Sequence, residues 1–322
     1  MDGFHDHLLL YDVETPKKSY IYKEFKKVYK ALPQTLQRRL ALLQKITHRQ
    51  FRLDAKFQIR LYMLEAEYHN HCAIYHQRRN EIISDIYEPT DEDCTFEGND
   101  EEKAKDKESE DVIVTFKGIP GFWMKVFLNC PFLEGITKKC DEPILLHLYD
   151  IRITYLANDS VGFVLEFYFS PNDYFSNSVL TKKYYMKSVL TRQDLSKYEG
   201  LEIHKSEGCL IDWKPGKDVT TKTVVEEQTD SNGLARTKTV PNKSFFNFFC
   251  PPVVEKEETI DNKKRILLDA DFEIGYRFKD DIVPKAVLFF TGYYLKANER
   301  SLEDGHPRIH KPQCKAMNMY TI

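Results

Sequence analysis

Between Pro33 and Glu88, apolar residues recur at steps of three and four: Leu36, Leu40, Leu43, Ile46, Leu53, Phe57, Leu61, Leu64, Tyr68, Cys72, Tyr75, Ile82 and Ile86. With Gln50 and Arg79 counted as interruptions, the mean step is about 3.6 residues, nearer a straight α-helix than a supercoiled heptad seam. The stretch holds no glycine and no proline after Pro33, so it predicts one helix about 80 Å long, far beyond an ordinary domain helix. Leu42, Ile59, Tyr62, Ile74 and Ile83 widen the apolar face. A face that wide predicts packing against a partner helix and a domain together. If the helix breaks, Thr47 and His48 mark the place.

Upstream, Tyr20 to Ala31 sets Ile21, Phe25, Val28 and Tyr29 against four lysines and reads as a short amphipathic helix. Residues 1 to 16 show no period. Downstream, residues 89–111 are acidic and almost free of apolar side chains, too poor in hydrophobes to repay the entropy of ordering. They predict a flexible insert, either a solvated linker or an anionic arm for a basic partner. Gly118 to Trp123 opens a new segment, with helices expected over 122–129 and 141–148. Residues 150–156 and 162–170 alternate like strands around the turn signal Asn158-Asp159-Ser160. Residues 181–189 read as a third strand and Cys209 to Trp213 as a fourth. Two Thr/Val-rich runs about Asn232-Gly233 predict a projecting hairpin over 218–241. Ser244 to Phe249 looks helical, and 266–293 reads as two helices flanking Pro284. Four antiparallel strands with helices on one face make an α+β lobe. The expected organisation is an N-terminal segment (1–31), the long helix (32–88), the insert (89–117), the lobe (118–293) and a polar tail (294–322).

Composition supports a sizeable core: of 322 residues, 42% are hydrophobic and 13% aromatic. The net charge of -3 hides a division. Residues 1–90 carry 15 Lys/Arg against 11 Asp/Glu, residues 91–111 carry 3 against 11, and the remainder is nearly balanced at 29 against 28. Without a clear basic excess, a whole-protein nucleic-acid binder is not favoured. Seven scattered cysteines form no CxxC pair, which argues against a disulfide framework or a zinc module and fits a reducing compartment. No basic start with an apolar run behind it and no stretch of eighteen apolar residues suggests secretion or membrane spanning.

Candidate chemistry is sparse. His69 and His71 lie two residues apart, about 200° around a helix, and neither pairs with His76 at metal-binding spacing, so solvated or interfacial histidines are expected. No P-loop, nucleophile elbow, kinase set or metalloprotease pattern is present, and no cofactor, metal or catalytic residue is expected. Lys263-Lys264-Arg265 reads as a solvated loop or a short nuclear address. Asp269, Asp271, Glu273, Asp280 and Asp281 crowd one late segment; a metal site, a capped and solvated face, or an acidic docking surface would each account for them.

Seven ordered segments together resemble the nucleosome assembly protein family of histone chaperones. They are Leu32-Pro33 with QRRLALLQKI, GIPGFW at 118–123, DEPILLHLYDIRITY at 141–155, GFVLEFYFSPNDYFSNSVLTKKYY at 162–185, GCLIDWKPGK at 208–217, PNKSFFNFFCPP at 241–252 and DADFEIGYRFKDDIVPKAVLFFTG at 269–292. The resemblance implies a homodimer in which long helices cross antiparallel and carry two lobes in an earmuff-like body, with core histones cradled on an acidic face. The hairpin and SFFNFF are similar to the nucleosome assembly branch rather than the related SET oncoprotein branch. On this footing, Asp141, Glu142, Asp150, Asp269, Asp271, Glu273, Asp280 and Asp281 are the expected histone-binding residues. Leu53, Phe57, Leu61, Leu64, Tyr68, Tyr75, Ile82 and Ile86 are the expected dimerisation residues. The family hairpin often bears a basic import signal; here it reduces to Lys222, Arg236 and Lys238 among Glu226, Glu227 and Asp230, and a nuclear import receptor is a further implied partner. Shuttling between nucleus and cytoplasm is the implied localisation. Residues 299–322 carry three acids and four Lys/Arg where family members commonly end in an acidic run, so little tail-dependent affinity is expected. The competing class is a scaffold that uses the same fold to bind non-histone partners or inhibit a phosphatase.

Overall fold

The structure is a computed structural model that describes residues 29–95, 116–156, 160–188, 198, 200–229, 235–252 and 262–294. The long periodic stretch forms one α-helix, α1 (Gln34–Ile83), without a break at Thr47 or His48. Pro33 stands at its N-cap, where a missing N–H costs nothing. The helix stops at Ser84, and Asp85 turns the chain with φ 62. Gly118 then packs on that end: its N-terminal neighbour in space is the Ile83 carbonyl, which a Cβ at 118 would meet at 2.2 Å, while φ +59 independently favours glycine. Of the helix expected at 20–31, only residues 29–31 are described, and they are helical. Most of the acidic insert, from residue 96, and the tail from 295 lie outside the described residues.

The lobe begins with α2 (Phe122–Asn129) and α3 (Pro131–Ile136), which Cys130-Pro131 separates as the proline implies. The helix expected over 141–148 is a single turn, α4 (Glu142–Leu145), because strand pairing takes the chain from Leu148 onward. A four-stranded antiparallel sheet follows in the order β1 (Leu148–Tyr155), β2 (Val161–Phe169), β3 (Val179–Ser188), β4 (Leu201–Glu207).

The fourth strand is not Cys209–Trp213 as the sequence suggests. Those residues make only the isolated bridge Phe175↔Trp213, and β3 pairs instead with 201–207. Gly208 explains the switch: its backbone lies so close to the Phe249 carbonyl that a Cβ there would approach the oxygen to 1.7 Å, which lifts the chain off the ladder. The sequence of β4, LEIHKSE, is mostly polar because it forms an exposed edge, so it gives little strand signal.

The hairpin is present as a separate two-stranded sheet, β5 (Thr221–Thr229) with β6 (Ala235–Pro241); its Asn232-Gly233 tip lies outside the described residues. A 3₁₀ turn (Phe245–Phe249) then enters the core. The chain closes with α5 (Asn262–Arg277), a π-turn (Phe278–Ile282) and α6 (Ala286–Phe290), on either side of Pro284 as the sequence indicates.

Alternation in the strands sorts the sheet. Phe163, Leu165 and Phe167 of β2, with Leu180 and Tyr184 of β3, face the helical side and are fully buried, whereas Glu166 and Lys183 look outward. Phe245, Phe246, Phe248 and Phe249 fill the space under this face. Phe245 meets Phe127 of α2 edge-on at 4.8 Å, and Phe167 meets Phe249 at 5.2 Å, arrangements that suit aromatic quadrupoles. Gly275 lets α5 lie directly on the Tyr184 ring, which a Cβ would approach to 2.5 Å.

Candidate functional site

Helix α1 has two apolar faces. One rests on the lobe. Tyr62 is buried, its hydroxyl accepts the Gly162 N–H (3.1 Å) and reaches the carbonyls of Gly162 (2.7 Å) and Leu156 (2.8 Å) at the β1–β2 turn. The His69 ring lies 5.3 Å from Tyr155 and 5.9 Å from His76. Arg79 donates to the Val283 carbonyl at 2.6 Å and holds its guanidinium over Trp123. Burial, with Arg79 and His69 adding like charge, pushes His76 down to about 4.

The other face is bare. Leu53, Phe57, Leu61, Leu64, Tyr68, Tyr75 and Ile86 are all exposed, several by more than 60%, and Ile82 is half-buried. This is the stripe expected to meet a second copy; from Leu53 to Ile82 it runs for about 44 Å along the helix, and Ile86 lies just past the helix end. Soluble monomers seldom leave so long a continuous apolar patch in water.

The acids divide differently from the sequence expectation. Asp141 is completely buried: it accepts from Ser244 Oγ (2.5 Å) and from the backbone N–H groups of Phe245 and Lys138 (both 2.8 Å), which pins the entry to the 3₁₀ turn. Burial raises its pKa against those bonds. Asp150 is buried and accepts from Arg152 Nε at 2.6 Å. Asp271 is buried and paired with Lys182 Nζ at 2.5 Å; the same ammonium donates to the Phe248 carbonyl at 2.6 Å. These three carboxylates serve the interior of the lobe and are withdrawn from the set of surface contacts. The sequence pattern alone could not separate them, since a buried and an exposed aspartate look alike until their neighbours are known.

Glu142, Asp269, Glu273, Asp280 and Asp281 reach the surface, although to different degrees. Asp269 and Asp280 are exposed. Glu273 accepts from Arg277 Nε (2.9 Å), and Asp281 is held between Arg277 Nη1 (2.9 Å) and Lys285 Nζ (2.5 Å), which lower its pKa although burial opposes them. Lys279 lies 2.6 Å from Asp280 and 3.7 Å from Glu65 of α1, tying the late segment to the long helix. The acids of α5 and the π-turn are thus interleaved with Arg277, Lys279 and Lys285, and their outward field is weaker than their number implies. Among the described residues no group of three or more His, Cys, Asp or Glu is placed to hold a metal ion, and no helix is long and apolar enough to cross a membrane.

The model of the family described as nucleosome assembly protein matches residues 38–293, from the long helix through α6. The chain belongs to the nucleosome assembly protein family. It is 40% identical over 285 residues to nucleosome assembly protein 1-like 1-A of Xenopus laevis, covering 84% of this chain and 72% of that one. It is likewise 40% identical over 287 residues to the human nucleosome assembly protein 1-like 1, with the same coverage of both chains. Among solved structures, nucleosome assembly protein 1 from Plasmodium knowlesi superposes with a TM-score of 0.51 at 26% identity, over 81% of this chain and 98% of that one. These relatives place the chain in the nucleosome assembly branch, as the hairpin and SFFNFF indicated.

Proposed function

We propose that this protein is a histone chaperone that works as a homodimer, shielding core histones from indiscriminate contact with DNA and depositing or removing them during nucleosome assembly. The observation that carries the reading is the division of α1 in a member of this family: one face seated on the lobe, the other an apolar stripe left bare. Two copies joined antiparallel through Leu53, Phe57, Leu61, Leu64, Tyr68, Tyr75, Ile82 and Ile86 would cover that stripe and fix two lobes at a set separation. The contacts to histone fall to Glu142, Asp269, Glu273, Asp280 and Asp281, helped by the acidic insert. Their role is to compete with the phosphate backbone for basic histone surfaces, through a field that speeds association and weakens with salt. The protein acts in the nucleus and cytoplasm, and an import receptor is its further partner.

The test is a titration of purified core-histone dimers against wild type and Asp269→Lys/Glu273→Lys/Asp280→Lys at moderate salt. Loss of about tenfold in affinity, or about 1.4 kcal/mol, is expected with the solution mass unchanged. Equal affinity of the two proteins would remove this cluster from the binding surface.

A further inference from the structure

Helix α1 has a third face, which neither the lobe nor the apolar stripe uses. At about 100° per residue, Arg38, Lys45, Arg49, Arg52, Lys56 and Arg60 fall within an arc of about 80°, roughly 100° round from the apolar stripe and on the side away from Tyr62 and His69. All six are exposed, and among the described residues none makes an ion pair. Asp54, the lone acid between residues 34 and 60, is on another face, where it accepts from the Tyr198 hydroxyl at 2.6 Å. Because the helix is unbroken, the cations form a straight row about 33 Å long. The same face beyond Arg60 carries Met63, Glu67 and Asn70, so the row ends there.

We infer that this row is a binding surface for the phosphate backbone of duplex DNA, read without regard to sequence. A line of like charges one or two helical turns apart is complemented by an anion that is equally long and straight. Duplex DNA presents one negative charge per about 1.7 Å of its axis and stays straight over far more than 33 Å. Four of the six groups are guanidinium groups, which engage phosphate oxygens through two parallel N–H donors. Within one copy the acidic residues 91–111 are excluded as the occupant by reach, and a row covered instead by the insert of a second copy would show in the test as a wild type that ignores the duplex. They leave from the far end of α1, where Arg78 covers Tyr87 and Tyr87 bonds Asp93, and they return there at Gly118. The twenty residues between Thr95 and Phe116 extend at most about 35 Å out and back, whereas Arg49 lies about 51 Å from Ile83. The surface rests on the proposed function only for where DNA would be met, and it is tested without histones.

The experiment titrates a labelled duplex of about 30 base pairs into the full chain at about 50 to 200 mM salt, by fluorescence anisotropy. Arg49→Gln/Arg52→Gln/Lys56→Gln/Arg60→Gln should lower affinity at the lowest salt at least tenfold and reduce the slope of log K against log salt by about 3 to 4. Histone affinity and solution mass should stay as in wild type. Arg49→Lys/Arg52→Lys/Arg60→Lys should keep the slope, since the charge is retained. Should the four-fold variant fail to fold, each half of it, Arg49→Gln/Arg52→Gln or Lys56→Gln/Arg60→Gln, should remove about half of the slope change. Wild type that ignores the duplex at the lowest salt, a variant with unchanged affinity and slope, or tighter binding to phosphatidylserine vesicles than to the duplex would each overturn the assignment.

Discussion

Lys182 shows how much a single side chain can decide. It sits in β3, a strand whose sequence reads TKKYYMKS, yet it is wholly buried between Asp271 of α5 and the Phe248 carbonyl of the 3₁₀ turn. Burial pushes the ammonium pKa down and the carboxyl pKa up, each opposed by the partner's charge. The pair joins sheet, turn and late helix at one point, and its cost is the desolvation of both ions. Lys182→Met should therefore destabilise the lobe by about 3 to 5 kcal/mol by leaving Asp271 unpaired, whereas Lys182→Met/Asp271→Leu should recover most of that loss. Urea unfolding of the three proteins measures both; a cost below about 1 kcal/mol for the single change would mean the lobe is not pinned there.

Among the elements, α1 matters most through its joint with the lobe. His69 faces Tyr155 from β1 and Lys279 and Asp280 from the π-turn, and His76 packs on His69 with Arg79 one turn along. In the unfolded chain His76 takes up its proton near 6.5, whereas in the fold it does so only near about 4. Between those values the unfolded state binds more protons, so stability falls as pH drops from about 6.5 towards 4. Allowing for the half-exposed ring, the loss from this residue is about 1 to 2 kcal/mol. Thermal unfolding from pH 7 to 4.5 should show a shallower decline for His76→Gln than for wild type; parallel curves would place the pH dependence elsewhere.

For the whole molecule, the bare stripe sets the expectation. In the proposed homodimer, Leu61→Glu/Leu64→Glu would bring four carboxylates into the centre of the paired helices, where they have no partners. Sedimentation should then report a chain of half the native mass, or one that has lost its helical signal. A folded dimer of unchanged mass would show that Leu61 and Leu64 lie outside the interface.

The pattern of apolar residues by itself determined the existence and continuity of α1, though not its end, which falls at Ile83 rather than Glu88, and with them its wide apolar face, the first three strands and the hairpin, because each depends on local period and turn chemistry. The motif order also determined the family, which the matches to relatives establish. Only the tertiary structure decided which apolar residues of α1 meet the lobe: Tyr62 and Ile83 are buried against it, whereas Leu64 and Tyr75 are left bare by it. It also moved the fourth strand from 209–213 to 201–207, since the close approach of Gly208 to Phe249 is a contact between distant segments. It took Asp141, Asp150 and Asp271 out of the acidic surface for the same reason. Burial depends on long-range neighbours, which a local pattern of charge does not encode.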